Sequence, residues 1–239
     1  MSNPTKVKFI AFIFARGGSK GIPKKNIIDF NGTPLIGLTI SIALKSNYID
    51  QVFVSTDDEE IAKIAEKYGA VVPFYRPSEL ASDSSKELDA WRHAIDWAVK
   101  TRGNFDAIIS LPTTSPLRNV QDIDNCISKY IENFDSIDGV VTLTHANRHP
   151  SFNMVKFNQE GFLSTYSSSK SKLFNRQEAP KAYDLCTICY VFNQNYILTC
   201  SNLFQGKVLG VEVPKERSID IDDEYDLKVA RLIDKSNRK

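Results

Sequence analysis

Five short segments that are apolar on both faces constrain the fold of this chain more than any other feature. Each is rich in β-branched or aromatic residues, and they occupy 8–15, 51–57, 70–75, 105–111 and 137–144. Helical patterns lie between them and begin at Pro34, Asp57, Ser85 and Val120. Strands without polar alternation are typical of a sheet that helices cover on both faces. The sequence therefore predicts an α/β fold built on a doubly wound, mostly parallel sheet.

Residues 145–184 interrupt this alternation and are interpreted as a small inserted arm. The stretch "NQEG" at 158–161 predicts a hairpin turn between two short strands. The α/β domain would then be formed by 1–144 and 185–239, with two more strands and a final helix from about Asp222 to Asp234. Four aromatic residues of the arm are expected to pack either on a second copy of the chain or on a small core of the arm itself. They are Phe152, Phe157, Phe162 and Tyr166.

Charge and cysteine content exclude several classes of protein. The 239 residues include 30 Lys and Arg and 29 Asp and Glu, and a net charge of +1 argues against a nucleic-acid partner. Cys186 and Cys189 have CxxC spacing, but no second CxxC exists, so we interpret them as buried apolar positions. No apolar run approaches the ~18 residues of a membrane span, and no signal peptide is expected before Phe9. We expect a cytoplasmic protein with reduced thiols and no membrane contact.

A basic, glycine-rich segment, "FARGGSKGIPKKNI" at 14–27, follows the first predicted strand. Its glycines let backbone N–H groups approach an anion and its cations supply charge. These residues are Gly17, Gly18, Gly21, Arg16, Lys20 and Lys25. The spacing fits neither a Walker A loop nor GxGxxG. Since the first strand-to-helix loop of such a sheet is a preferred phosphate site, the segment predicts a triphosphate cradle; the alternative is a basic surface turn.

Two acidic residues in "SIDID" at 218–222 form a second candidate centre. On a strand, Asp220 and Asp222 would point to the same face, so both carboxylates could approach one hard cation. Magnesium bridging these carboxylates and the phosphates would polarise the α-phosphate. The alternative is that Asp222 caps the final helix.

Six segments in order make the chain similar to a known family. They are "ARGGSKGIPKKNI", "VSTDDEEIAKIAEKYGA", "RPSELASDSS", "TSPLR", "RQEAP" and "SIDIDDEYDLKVA". With these segments the chain resembles the acylneuraminate cytidylyltransferases, the CMP-sialic acid synthetase family, over nearly its whole length. The resemblance implies a Rossmann-like nucleotidyltransferase domain with a β-rich dimerisation and substrate arm. It also implies transfer of CMP from CTP to the anomeric hydroxyl of a nine-carbon keto sugar acid, with Mg²⁺ and pyrophosphate release, by a homodimer.

The resemblance also assigns roles to individual residues. Arg16, Lys25 and Asp222 would be catalytic, and Asp220 and Asp222 would bind the metal. Arg176 and Gln177 would bind the sugar acid, since an arginine can hold a carboxylate with two donors. The implied nucleotide-binding residues are Ala15, Gly17, Gly18, Lys20, Asn26, Arg76 and Ser85.

Three positions depart from the family pattern and leave the substrates open. Pro112 stands where relatives carry glutamine, Glu87 where they carry a small hydroxyl residue near the cytosine, and Cys186–Thr187 where they carry Asn-Gly. These changes cluster at base and sugar recognition. The alternatives are therefore a legionaminate-type or octulosonic acceptor, another nucleotide, or a non-catalytic nucleotide-binding protein.

Overall fold

The computed structural model describes residues 7–82, 85–167 and 179–237. The described residues form ten strands: β1 (Phe9–Phe14), β2 (Asp29–Phe30), β3 (Thr33–Pro34), β4 (Val52–Ser55), β5 (Ala107–Ser110), β6 (Gly139–His145), β7 (Val155–Phe157), β8 (Leu163–Thr165), β9 (Tyr183–Asn193) and β10 (Val208–Glu212). They also form six α-helices: α1 (Leu35–Ala43), α2 (Glu59–Lys67), α3 (Glu87–Arg102), α4 (Val120–Glu132), α5 (Gln194–Thr199) and α6 (Glu224–Asn237). None of the described helices is both long and apolar enough to span a membrane.

The main sheet has six strands in the order β10-β6-β9-β5-β1-β4. β1 pairs in parallel with β4 and β5, and β10 pairs in parallel with β6. β9 alone among these six runs antiparallel to both of its neighbours, β5 and β6. The predicted mostly parallel α/β sheet is therefore confirmed.

Both faces of this sheet are buried under helices. Ile13 of β1 belongs to a core cluster with α1, α2 and α4, while its neighbour Phe12 belongs to a second cluster with α3 and α5. Phe12 packs against Phe53 and edge-on against Trp97 of α3. Because successive strand residues point to opposite faces, burial on both sides explains why β1 is apolar throughout.

A third, smaller core positions the segment 14–27 relative to the C-terminal helix. Ile22 of that segment, Phe30 of the β2–β3 hairpin and Ile221 before α6 are all buried in it, together with Leu227 of α6. Two residues far apart in sequence, Ile22 and Ile221, are thereby held in one apolar cluster. This contact brings the basic segment and the "SIDID" segment to the same part of the surface.

Residues 70–75, predicted to be a strand, form only isolated bridges to the edge of β4. Val71 bridges to Phe53, and Tyr75 bridges to Thr56. Val71 exchanges backbone hydrogen bonds with β4, but Pro73 has no N–H with which to continue the ladder. The strand prediction is therefore wrong here, although the segment does run along the sheet edge.

The arm begins where β6 ends and returns into β9. His145, the last residue of β6, pairs with Tyr183, the first residue of β9. Between them, β7 and β8 form an antiparallel hairpin, and Gly161 in its turn has φ +83°. The predicted hairpin at 158–161 is confirmed. Phe157, Phe162 and Tyr166 are exposed on it.

A bulge in β9 lies at the carboxyl end of β5. Val141 of β6 pairs with Tyr190, but the next residue, Thr142, pairs with Cys186, so 187–189 are left out of the strand pairing with β6. The buried Thr142 hydroxyl lies 3.0 Å from the Cys186 carbonyl, to which it donates, and accepts from the Cys189 N–H at 3.2 Å. Both cysteines are buried and free, which confirms their apolar interpretation. Burial raises the pKa of Cys186 to about 11.

Candidate active site

A cavity of about 330 Å³ lies at the carboxyl end of β1. Its wall contains most of the predicted cationic residues together with one of the two predicted acids. The lining residues are Phe14, Arg16, Ser19, Lys20, Gly21, Lys25, Asn26 and Asp222. In open α/β sheets this edge is where ligands bind. The basic segment and the "SIDID" segment thus line one cavity, as a triphosphate site requires.

The two segments touch directly. Lys25 Nζ lies 3.0 Å from Asp222 Oδ1, and the Lys25 side chain is 17% exposed while that of Asp222 is 77% exposed. A Cβ atom added to Gly21 would lie 2.2 Å from the Asp222 carbonyl oxygen. A side chain at position 21 would therefore force the segments apart, and this close approach explains the glycine.

Asp223, one residue beyond Asp222, caps the final helix. Its Oδ1 accepts from Asp226 N at 3.0 Å, and its own N–H donates to Asp226 Oδ2 at 3.1 Å, which is a capping-box arrangement. The carboxylate of Asp222 is therefore not used as the cap. It faces Lys25 and the cavity.

The position of Asp220 supports a metal-binding role less directly than the position of Asp222 does. The segment 218–222 is irregular, so the prediction that both acids lie on a strand is wrong. Ile221 N donates to Thr114 O at 2.9 Å and the Ile221 side chain is fully buried. The Oδ1 atom of Asp220 is buried and accepts no hydrogen bond from the residues that the structure describes. Asp220 is not among the residues that line the cavity.

The donor set at this edge fits magnesium bound together with phosphates. Mg²⁺ is usually held by one or two carboxylates plus the phosphates of its substrate. Asp222 supplies an accessible carboxylate in the cavity, and Asp220 holds a buried oxygen without a donor among the described residues. Within the described ranges, no group of three His, Cys, Asp or Glu side chains could hold a metal on its own. The metal-ligand roles of Asp220 and Asp222 stay predictions.

Hydrogen bonds from neighbouring loops fix the shape of the basic segment. Gly17 N donates to Asp57 Oδ1 at 2.9 Å. Asn26 Nδ2 donates to Arg16 O at 2.8 Å, and the Thr113 hydroxyl donates to Asn26 Oδ1. In this structure the Gly17 amide and the Asn26 side chain thus hold the segment in place; their nucleotide contacts stay predictions.

Asp58, not Asp57, caps α2. Its Oδ1 accepts from Glu60 N and Ile61 N at 2.8 and 3.0 Å. The predicted helix start at Asp57 is therefore one residue early. Asp57 is instead the anchor of the basic segment.

The remaining predicted residues of this segment lie at the same edge. Ala15 is buried, and its N–H donates to Ser55 O at 3.0 Å. A Cβ atom on Gly18 would meet nothing within 4 Å, so the backbone there is open to solvent. Arg16 lines the cavity and its Nη1 donates to Ala81 O at 3.3 Å.

A second cavity of about 230 Å³ adjoins the first, because both are lined by Phe14 and Arg16. It contains Arg76 and Ser85, both predicted to bind nucleotide, and it also contains Glu87. We refer to the 330 Å³ cavity as the phosphate cavity and to the 230 Å³ cavity as the side cavity.

Arg76 and Glu87 bring opposite charges to the lining of the side cavity. Arg76 is 7% exposed, and its Nε and Nη2 donate to the hydroxyl and carbonyl of Ser55 at 3.1 and 2.6 Å. Burial lowers the pKa of Arg76 to about 10, with Asp57 opposing that shift, so the guanidinium stays charged at neutral pH. Glu87 remains accessible through the cavity mouth, but the walls around its carboxylate desolvate it and raise its pKa.

Two arginines, Arg118 and Arg217, join segments that are far apart in the sequence. Arg118, fully surrounded by protein, donates to Ser115 O at 2.9 Å, to Ile188 O at 2.7 Å and to Pro112 O. Burial lowers the pKa of Arg118 to about 10. Arg118 thereby fastens the loop after β5 to the bulge of β9.

The second arginine, Arg217, lies just before "SIDID" and holds that segment against α4. Arg217 forms two hydrogen bonds, of 2.8 and 2.9 Å, with the buried carboxylate of Asp122 in α4. Thr187, at the position that departs from the family pattern, shares a 2.7 Å hydrogen bond with the Ser115 hydroxyl.

Sequence reasoning missed Asp57, Thr113, Arg118 and Arg217 as organisers of the site. Their local signals are weak, since each acts through a contact far along the chain. Arg176 and Gln177, the predicted sugar-binding residues, lie outside the described residues.

A larger cavity, of about 470 Å³, lies at the opposite edge of the sheet, at the amino ends of β1, β4 and β5. Lys8, Asp50, Gln51 and Arg102 contribute polar groups to its wall. Arg102 is already engaged, with its Nη2 donating to Gln51 at 3.1 Å. Neither the basic segment nor the acidic pair reaches this edge, so the two smaller cavities are the candidate site.

Comparison with known proteins identifies relatives in sequence and in fold. The chain is 35% identical over 230 residues to a CMP-N,N'-diacetyllegionaminic acid synthase of Campylobacter jejuni, covering 95% of this chain and 94% of the relative. It is 32% identical over 234 residues to a pseudaminic acid cytidylyltransferase of Campylobacter jejuni, covering 98% and 99%. A solved structure of CMP:2-keto-3-deoxy-manno-octonic acid synthetase complexed with CTP has the same fold, with a TM-score of 0.70, 17% identity, and coverage of 96% and 99%.

A family model described as cytidylyltransferase matches residues 10–212, which include both cavities except for Asp222. With the sequence relatives covering nearly the whole chain, the family is established. The protein belongs to the cytidylyltransferase family.

Proposed function

We propose that the protein transfers CMP from CTP to the anomeric hydroxyl of a sialic-acid-like nine-carbon keto sugar acid and releases pyrophosphate. The observation that carries the proposal is the single cavity lined by Arg16, Lys20, Lys25 and Asp222. Cations and an accessible carboxylate in one cavity suit a metal-loaded triphosphate. The names of the sequence relatives support CMP transfer to sugar acids of this class.

Electrostatic stabilisation of the phosphates is the main chemical task of the phosphate cavity. The acceptor hydroxyl oxygen bonds to the α-phosphorus, the bond from that phosphorus to the β-phosphate oxygen breaks, and the hydroxyl proton is lost to solvent. Arg16, Lys20 and Lys25 are positioned to offset the charge that builds up on the departing pyrophosphate. Mg²⁺, held by Asp222 together with phosphate oxygens, would supply further polarisation of the α-phosphate.

The acceptor is proposed by class. Arg176 and Gln177 stay our candidates for binding the acceptor carboxylate. A legionaminic acid or a pseudaminic acid is supported by the relatives, and an octulosonic acid is the nearest alternative.

A pyrophosphate-release screen tests the proposal. The protein, with Mg²⁺, is incubated with each of the four ribonucleoside triphosphates against neuraminic, legionaminic, pseudaminic and octulosonic acids. Pyrophosphate is expected only with CTP and one or more of the nine-carbon acids, and a CMP-sugar product should appear in equal amount. Reactions without an acceptor provide the background rate. No release across the panel would contradict the proposal and favour a non-catalytic nucleotide-binding protein.

We also propose a homodimer formed through the arm. Isolated surface apolar residues are ordinary, but a cluster of them on one element is typical of an interface. The exposed apolar residues of the arm and the adjoining start of β9 are Met154, Val155, Phe157, Phe162, Leu163, Tyr166, Tyr183 and Leu185. Phe152 is half-buried against the ring of His149.

Light scattering of the purified protein should therefore give twice the 26.9 kDa chain mass. Phe157 is 75% exposed, so Phe157→Asp should leave the chain folded but shift the mass toward the monomer. Phe204→Asp, at an apolar residue that is 58% exposed and outside the arm, is the matched control and should stay dimeric. A monomeric wild-type protein at micromolar concentration would overturn the proposal.

A cytoplasmic location is proposed on the state of the cysteines. All four, Cys126, Cys186, Cys189 and Cys200, are buried and unpaired. Free thiols are expected in a reducing compartment.

A further inference from the structure

We propose that Glu87 selects the base of the nucleotide, by accepting a hydrogen bond from the exocyclic amino group of cytosine in the side cavity. This inference rests on the proposed function, because it takes the phosphate cavity as the site of the triphosphate. It assigns to Glu87 a role in choosing between CTP and UTP.

The position of the side cavity relative to the phosphate cavity is the first argument. Phe14 and Arg16 line both, so a nucleotide with its phosphates at Arg16, Lys20 and Lys25 extends from one cavity into the other. The side cavity has an apolar wall formed by Phe14, Leu80 and Ala90. A flat ring with polar edges fits a cavity with an apolar wall and a few polar groups.

The second argument concerns the polar groups of the side cavity, some of which already form hydrogen bonds within the protein. The Ser85 hydroxyl lies 2.7 Å from Ser82 O and 3.1 Å from Leu80 O, so its proton is engaged in the turn that it closes. Two of the three nitrogens of Arg76 donate to Ser55. Within the part of the chain that the structure describes, no hydrogen bond is made by Arg76 Nη1. Among the residues that line the side cavity, Glu87 carries the one carboxylate. Arg76 Nη1 is a donor there, beside the cations of Arg16 and Lys86.

This pair of groups matches cytosine better than uracil. The pairing edge of cytosine carries a donor amino group at position 4 beside the acceptors N3 and O2. A carboxylate accepts from such an amino group, as Glu and Asp do with cytosine in nucleic acids. Uracil carries a carbonyl oxygen at position 4, and a carboxylate facing it would place two acceptors together. Arg76 can donate to O2 of either base, so discrimination falls on Glu87.

A purely structural role for Glu87 is the alternative to be separated. It is the first residue of α3, where an acid interacts favourably with the helix dipole, and it lies beside the charge of Arg76. Loss of either of these two structural interactions would change the free energy of unfolding or the overall rate. It would not change the ratio of the rates for two nucleotides that differ at one edge of the base.

Glu87→Gln tests the inference, because the amide has nearly the same shape and can donate as well as accept. The measurement is kcat/KM for CTP and for UTP with one accepted sugar acid, determined for the wild type and the variant. The CTP to UTP ratio is expected to fall by roughly ten- to a hundredfold, through a lower value for CTP and a higher one for UTP. Glu79→Gln is the matched control. Glu79 lies on the neighbouring 3-10 turn (Ser78–Leu80) and does not line the side cavity, so its variant should keep the wild-type ratio.

The outcomes separate this inference from the proposed function. A wild type that uses CTP, together with an unchanged ratio in Glu87→Gln, overturns the role of Glu87 and leaves the proposed function intact. A wild type that uses CTP and UTP equally well would also overturn the role of Glu87 and leave nucleotidyl transfer itself intact. A wild type that releases no pyrophosphate with any nucleotide contradicts the proposed function. In that case calorimetry with CTP and UTP alone still decides the inference, since the affinity ratio should fall in Glu87→Gln.

Discussion

Asp222→Asn is expected to lower pyrophosphate release from CTP by roughly a hundredfold or more while the protein stays folded. Asp222 supplies the accessible carboxylate of the phosphate cavity and the partner of Lys25. Its side chain is 77% exposed, so the substitution removes little packing and only a solvent-exposed ion pair. The measurements are the steady-state rate and the dependence of CTP affinity on Mg²⁺ in calorimetry. The wild type should bind CTP more tightly with Mg²⁺, and the variant should lose most of that gain.

Asp223→Asn is the matched control for this experiment. It removes the same charge one residue away, and asparagine is as good a helix cap as aspartate. Because Asp223 is engaged in capping α6, its variant should keep near-wild-type turnover. A rate for Asp222→Asn within a few-fold of that control would remove Asp222 from the metal site.

Gly21→Ala is expected to lower kcat/KM for CTP by about a hundredfold, because the added methyl group separates the two halves of the phosphate cavity. The new Cβ would lie 2.2 Å from the backbone oxygen of Asp222, and a backbone atom cannot rotate away as a side chain can. Ile22, next in the chain, is buried in the small core with Ile221, so the segment cannot slide to make room. Urea unfolding should show a moderate loss of about 1–3 kcal/mol, as for other overpacked sites.

Gly18→Ala provides the folding control in the same segment. A Cβ atom there contacts nothing within 4 Å, so its free energy of unfolding should match that of the wild type. If Gly21→Ala bound and turned over CTP as well as the wild type, the contact between Gly21 and Asp222 would not matter for the site.

The sheet could be predicted from sequence because its determinants are local. Each strand of the core must be apolar on both faces, and that pattern is visible in β1, β4, β5 and β6 without knowledge of their neighbours. Residues 70–75 show the same apolar character, but they lie along the edge of β4 and contain Pro73, so the ladder does not form. Ala70 is buried and 71–74 are half-buried, but Tyr75 is 57% exposed, so both the burial and the hydrogen bonding fall short of the prediction.

The site was predictable in its residue types and less so in its contacts. Arg16, Lys20, Lys25 and Asp222 were expected in one site from the family pattern, and the structure places them in one cavity. Asp57 accepts a hydrogen bond from the N–H of Gly17, which lies in another loop, and Asp58 is the residue that caps the helix. The same holds for Asp222 and Asp223, since the approach of Gly21 and Lys25 decides which carboxylate faces the cavity. Such choices are made by tertiary contacts and leave no local signal.

The way in which the arm joins the sheet determines how easily this segment can be exchanged between homologues. Ala146 N donates to Ala182 O at 3.1 Å, just beyond the last pair of β6 and β9, so the two ends of the arm leave the sheet side by side. A segment whose two ends are already adjacent can be lengthened, shortened or replaced as a unit without altering the order of the strands. Under the roles proposed above for the arm, grafting this segment between homologues is expected to transfer acceptor choice and subunit pairing, while the nucleotide-binding residues beside β1 stay unchanged.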